Sequence, residues 1–347
     1  MENKEIKQKN YIKKKNFENI EDFKYIFRSI RSLLTVDKKS EYLIQKSDIN
    51  LDEEKKEVIF NFSDEGIDLY SLIITKVYDY KSEKGLIQWI MFQILKGLET
   101  LNSLNIIHRD INPRHILISS EGRIKITGFS LSINDIESKF VYDKIVGTLC
   151  YIAPEVLLMQ NYNSKIDIWA AGVIMLELYM KKAFALKYNE DDSNEDYFKR
   201  FFKQLKFIAN KLKVSFNFNE NNYNKEDLIN WLNKDAKFIQ EEFDNFCNNI
   251  SGLEEEGKKL LQRLLTFNPK ERISAKEALK MDYFKDYQYL NKDEFKKKKD
   301  KGSNENMTNF LKNLEKEYQR VNDKYPNEKQ KKEKFQEELY TILAHKQ

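Results

Sequence analysis

Apolar side chains recur at helical spacing along much of the chain. Phe23, Ile26, Phe27, Ile30, Leu33 and Leu34 fall at intervals of three and four, which predicts a helix over residues 23–36. Ile87, Ile90, Met91, Ile94, Leu95, Leu98 and Leu101 form a broader stripe within 85–104, wide enough to face a core along its whole length. Residues 69–77 read as a shorter helix. Residues 164–173 are apolar nearly all round, as in a central buried helix, and Ser164 is placed to cap it. Residues 198–212 and 225–232 read as helices in a long polar stretch. Between these elements lie short runs rich in β-branched residues. Residues 11–15, 41–44, 57–62, 116–118 and 124–126 read as strands, 45–56 as a polar hairpin loop and 119–122 as a turn. Beyond residue 285, Met307, Phe310, Leu311, Leu314, Tyr318 and Val321 make a helical stripe. Pro326 interrupts it, and Phe335, Leu339, Ile342 and Leu343 make a second.

Composition narrows the setting. A chain of 347 residues suggests roughly two domains and a tail. A formal net charge of +4 does not demand a nucleic-acid partner, and no DNA is expected. Lysine is concentrated at the ends: residues 1–10 are basic, without periodicity, and expected to be disordered, and 296–299 is a basic run. The two cysteines, Cys150 and Cys247, suit reduced thiols better than a disulfide. Three histidines, His108, His115 and His345, make a histidine metal site improbable, and no metal ligands are assigned. No apolar core of a secretory leader is seen at the N-terminus. The longest apolar run, 166–180, is broken by Asp167 and Glu177 and falls short of the roughly 20 residues that span a bilayer. No membrane is expected, and a cytoplasmic or nuclear place is.

The chemistry is concentrated in residues 106–132, I-I-H-R-D-I-N-P-R-H-I-L-I-S-S-E-G-R-I-K-I-T-G-F-S-L-S. Downstream stand G-T-L-C-Y-I-A-P-E, then D-I-W-A-A-G-V, then L-L-T-F-N-P-K-E-R-I-S-A-K-E-A-L-K-M-D-Y-F. This series resembles the eukaryotic protein kinases, which carry H-R-D-x-K-x-x-N, a hairpin, D-F-G, A-P-E and D-x-W-x-x-G. The last stretch, with W-I-M-F-Q-I-L-K-G-L at 89–98, resembles the cyclin-dependent and mitogen-activated group. The resemblance implies an α+β bilobal fold: a reduced β-rich N-lobe over 11–62, a hinge at 63–66, a mainly helical C-lobe over 67–284 with an activation segment at 128–155, and a Lys-rich helical tail over 285–347.

It also assigns roles. Asp110 holds the position of the base that orients a substrate hydroxyl, and Arg109 precedes it. Asp167 accepts amide hydrogen bonds from the catalytic loop, Glu155 and Arg272 form a buried latch, and His108 and Phe129 are structural. Ser63, Asp64 and Glu65 take the adenine-reading hinge, with Leu117 under the ring. Lys13 takes the strand lysine that contacts phosphate, or is one charge of a solvated strand edge. Asp143 stands five residues before Thr148, where many members carry a phosphothreonine. It either pairs with Arg109 or is an exposed loop carboxylate. Tyr142 and Thr148 are possible phosphorylation sites.

The departures fall at the centre. Asn112 stands at the loop lysine, His115 at the asparagine and Gly128 at the D-F-G aspartate. In the family those last two hold the Mg²⁺ ions that bridge the ATP phosphates. The helix slots for the glutamate that pairs with the strand lysine hold Tyr25 or Ser29, and no G-x-G-x-x-G occurs. The expectation is a catalytically impaired pseudokinase, a scaffold or allosteric regulator with a protein partner: a kinase, a cyclin-like protein or a substrate. No cofactor is assigned, with ATP without Mg²⁺ left open. The alternatives are a divergent active serine/threonine kinase and a nucleotide sensor without catalysis.

Overall fold

The computed structural model describes residues 11–16, 20–52, 57–62, 66–75, 84–119, 122–134, 146–157, 160–180, 247–248, 250 and 252–287. Strand β1 (Tyr11–Asn16) leads into helix α1 (Ile20–Val36), and strands β2 (Lys46–Asp52) and β3 (Glu57–Phe62) follow. The three strands form one antiparallel sheet in the order β1–β3–β2, with Tyr11 opposite Phe62 and Lys15 opposite Val58. Val58, Phe60 and Phe62 are buried on one face of it by strand alternation, beside Ile26 and Leu33 of α1 in the same core.

Strand β2 falls where a polar loop is expected from the sequence. The expected strand at 41–44 is instead a connector that makes one bridge, Leu43 to Ile126. Both outcomes have one cause. Ile49 and Leu51 alternate with polar residues, which suits a strand paired along one side to β3. Leu43 and Ile44 are consecutive and both fully buried, so they serve as filling between sheet and hairpin.

The second unit is mainly helical. Strand β4 (Ile67–Asp68) runs into α2 (Leu69–Thr75), and α3 (Lys84–Ser103) is followed by strand β5 (Ile106–Ile107). Strands β6 (Ile116–Ile118) and β7 (Ile124–Ile126) form a hairpin with Ile116 opposite Ile126, and β4 pairs with the other edge of β6. Strand β8 (Ile133–Asn134) pairs with β5. Buried Gln93 holds the hairpin to α3 by donating to the Gly122 carbonyl (3.0 Å) and accepting from the Ile124 amide (3.0 Å). Helix α4 (Pro154–Leu157) precedes α5 (Lys165–Met180), which is buried from Ile166 to Leu178. The Ser164 hydroxyl donates to Asn102 Oδ1 (2.7 Å), so it ties α5 to α3, while Asn163 Oδ1 accepts from the Lys165 amide (3.0 Å).

Helices α6 (Glu255–Leu264) and α7 (Ala275–Ala278) close the lobe, α7 with a reciprocal Ser274–Glu277 capping box. The Tyr287 hydroxyl donates to the Gly85 carbonyl (3.0 Å). Among the described residues no helix is long and apolar enough to cross a membrane. The helices expected over 198–212 and 225–232 and the tail stripes lie outside the described residues.

Candidate functional site

The loop after β5 is held from below by one carboxylate. Asp167, in the first turn of α5, accepts from the amides of His108 (2.8 Å) and Arg109 (2.9 Å). Burial pushes its carboxyl up to about 7, against those two hydrogen bonds and the Arg109 charge. Satisfying both amides lets Arg109 adopt φ +66°, the left-handed region. His108 is fully buried, with Nε2 2.7 Å from the Thr127 carbonyl, while the Asp110 amide donates to Nδ1 (3.3 Å). Those partners select the neutral ring protonated on Nε2. Burial first, then the neighbouring His115, push its pKa down to about 4. Its ring lies 5.0 Å, centroid to centroid, from that of Phe129.

Arg109 is buried too. Its Nε donates to the Leu131 carbonyl (2.6 Å) and Nη1 to the Tyr162 hydroxyl (3.0 Å); Nη2 has no partner among the described residues. Asp143, considered as its partner, lies outside them, as do Ser63, Asp64 and Glu65.

Asp110 is bonded from within the chain. Its Oδ1 accepts from the Thr148 amide (2.9 Å), the Thr148 hydroxyl (2.7 Å) and Asn112 Nδ2 (3.0 Å). Asn112 Nδ2 is also 3.1 Å from Thr148 Oγ1 and 3.1 Å from His115 Nδ1, so one buried amide links all three side chains. Its own Oδ1 accepts from the Arg114 amide (2.9 Å) and caps the 3-10 turn Pro113–His115. His115 Nδ1 lies 2.9 Å from the Asp110 carbonyl oxygen and 3.3 Å from Asp110 Oδ2.

Opposite stands Gly128, with φ +88°, a conformation that favours glycine. A Cβ placed on it would meet the His115 ring at 2.5 Å. Gly128, Phe129 and Ser130 also border a narrow recess that opens to solvent and is shared with Lys15, Ser29, Leu33, Ile44, Phe60 and Phe62. The Lys15 amine donates to the Ser29 hydroxyl (3.4 Å), and Ser32 and Ser132 hydroxyls meet at 2.7 Å. Among the described side chains of β1, Lys15, two residues beyond Lys13, borders this recess. Leu117, at the middle of β6, is buried between Asp68 and Lys125 on the flanking strands.

The family model for the protein kinase domain matches residues 2–284. The chain belongs to the protein kinase family. Its kinase domain keeps the buried latch, with Arg272 Nη1 and Nη2 donating to Glu155 Oε1 (2.6 Å) and Oε2 (2.9 Å). Among the described residues, positions 115 and 128 do not fit the divalent cation that kinases use. Mg²⁺ takes hard oxygen ligands in near-octahedral geometry. Position 128 has no side chain, and position 115 offers a ring nitrogen already directed at Asp110. Two contributors escape the motif comparison. Lys15 is hidden in a run of three lysines, where strand parity leaves 13 and 15 equivalent. Thr148 reads in sequence only as a phosphorylation site, because its bond to Asp110 joins positions far apart in the chain.

Proposed function

We propose that this kinase domain is a catalytically impaired pseudokinase of the cyclin-dependent and mitogen-activated group, acting in the cytoplasm or nucleus as a scaffold or allosteric regulator of serine/threonine kinase signalling through a protein partner. The observation that carries the reading is the joint state of positions 115 and 128. Phosphoryl transfer depends on positioning and charge neutralisation around the phosphates. A glycine and an Asp110-bound imidazole supply neither at the two metal-holding positions. Asp110, the proposed base, is bonded to Thr148, Asn112 and His115. ATP, where it binds, does so without Mg²⁺. The test is transfer from labelled ATP to protein acceptors by the purified chain, with Mg²⁺ or Mn²⁺. No transfer above that of Asp110→Ala is expected, and metal-dependent transfer that disappears in Asp110→Ala would sink the proposal.

One observation favours the rival, a divergent active serine/threonine kinase. Asp110 keeps a hydroxyl, that of Thr148, at 2.7 Å from its carboxylate, the arrangement a base needs toward a substrate hydroxyl. The same transfer assay decides between the two.

A further inference from the structure

His115 and Gly128 fit one another as a pair. A Cβ at position 128 would lie 2.5 Å from Cδ2 and Cγ of the His115 ring and 2.7 Å from Nδ1, closer than real Cβ contacts come. The ring is held where it is: Nδ1 is 2.9 Å from the Asp110 carbonyl oxygen, 3.3 Å from Asp110 Oδ2 and 3.1 Å from Asn112 Nδ2. Asn112 is buried and fixed at its other end by the Arg114 amide, so it cannot follow the ring outward without giving up its cap on the 3-10 turn.

We propose that His115 is a built-in plug of the divalent-metal position, its imidazole filling the space that a side chain at 128 and the ion beside it would need. The metal position is then closed by volume as well as by loss of ligands, and restoring the carboxylate at 128 alone does not reopen it. The ligand class admitted to the cleft is a nucleotide without a chelated cation. That consequence rests on the pseudokinase reading; the packing of the pair does not.

The test has two arms on the full chain. In the first, urea midpoints are measured for wild type, Gly128→Ala, His115→Ala and the double variant. The cost of Gly128→Ala should fall by about half or more in the His115→Ala background, since only the positive φ then remains to oppose the methyl group. Additive costs overturn the plug. If Gly128→Ala alone shows no folding transition, its return in the double variant supports the plug and its continued absence overturns it. In the second arm, Mn²⁺ binding in the presence of ATP is read by electron paramagnetic resonance. Gly128→Asp should bind no more Mn²⁺ than wild type, and His115→Asn/Gly128→Asp should bind more. Tight Mn²⁺ binding by wild type or by Gly128→Asp alone overturns the proposal, as does a double variant no better than wild type. Phosphoryl transfer by wild type would defeat the functional reading and leave the first arm standing.

Discussion

Two buried ionisable side chains under the catalytic loop respond to pH in opposite directions. His108 is held near 4 against about 6.5 in an unfolded chain, so between those values the unfolded state binds the extra proton. Its contribution to stability is present above pH 6.5 and is lost as pH falls toward 4. Asp167 is held near 7 against about 3.9 unfolded, so there the folded state binds the extra proton. Its contribution is present below about pH 4 and is lost as pH rises through 7. Chemical denaturation across this range should show the gap between wild type and His108→Gln growing with pH from 4 to 6.5, then levelling. The slope should be at most about 1.4 kcal/mol per pH unit. The gap between wild type and Asp167→Asn should shrink over the same range. The Glu155–Arg272 pair makes a second residue-scale prediction. Both partners are almost wholly buried, and Arg272 also donates to the carbonyls of Lys165, Thr266 and Phe267. Arg272→Ala strands a buried carboxylate and should cost about 3–5 kcal/mol in urea unfolding, with Glu155→Gln costing less. Both pair members were legible from their motifs, because A-P-E and the arginine near the C-lobe end are local text with a family meaning.

At the scale of elements, hydroxyl and amide hydrogen bonds position the site. Ser32 of α1 meets Ser132 beyond Gly128, and the Ser132 hydroxyl also donates to the Phe129 carbonyl (2.6 Å), which ties helix α1 to the segment carrying Phe129. Gln93 does the same for the β6–β7 hairpin, whose two strands lead from His115 and toward Gly128. Gln93→Leu leaves the Ile124 amide buried without its acceptor and should cost about 1–3 kcal/mol. Amide hydrogen exchange should then quicken in β6 and β7 before it does in α5. The hairpin, α1 and α3 were readable because their periodicity is strong and unambiguous. Strand β2 was not, since Ile49 and Leu51 are too few to separate a strand from a polar loop until β3 supplies the pairing.

At the scale of the whole molecule, the kinase domain of residues 2–284 holds a recess bordered by Lys15 on the N-terminal sheet and by Gly128 beyond the β6–β7 hairpin. Its functional reading predicts that ATP, where it raises the melting temperature at all, does so equally with and without Mg²⁺. A thermal-shift titration checks this, and a shift that appears only with metal would favour the active-kinase alternative. Residue type alone determines part of the site. Glycine at 128 brings no side-chain ligand in any fold, histidine at 115 is a poor partner for Mg²⁺ wherever it points, and the order of motifs identifies the kinase domain. Tertiary structure decided the rest. It brought Lys15 to the recess, set Thr148 on Asp110, and laid the His115 ring against Gly128 so that two separate departures from the family motif became one packed pair. Those contacts join positions distant in the chain, and local periodicity carries no information about which of two like side chains will meet across a fold.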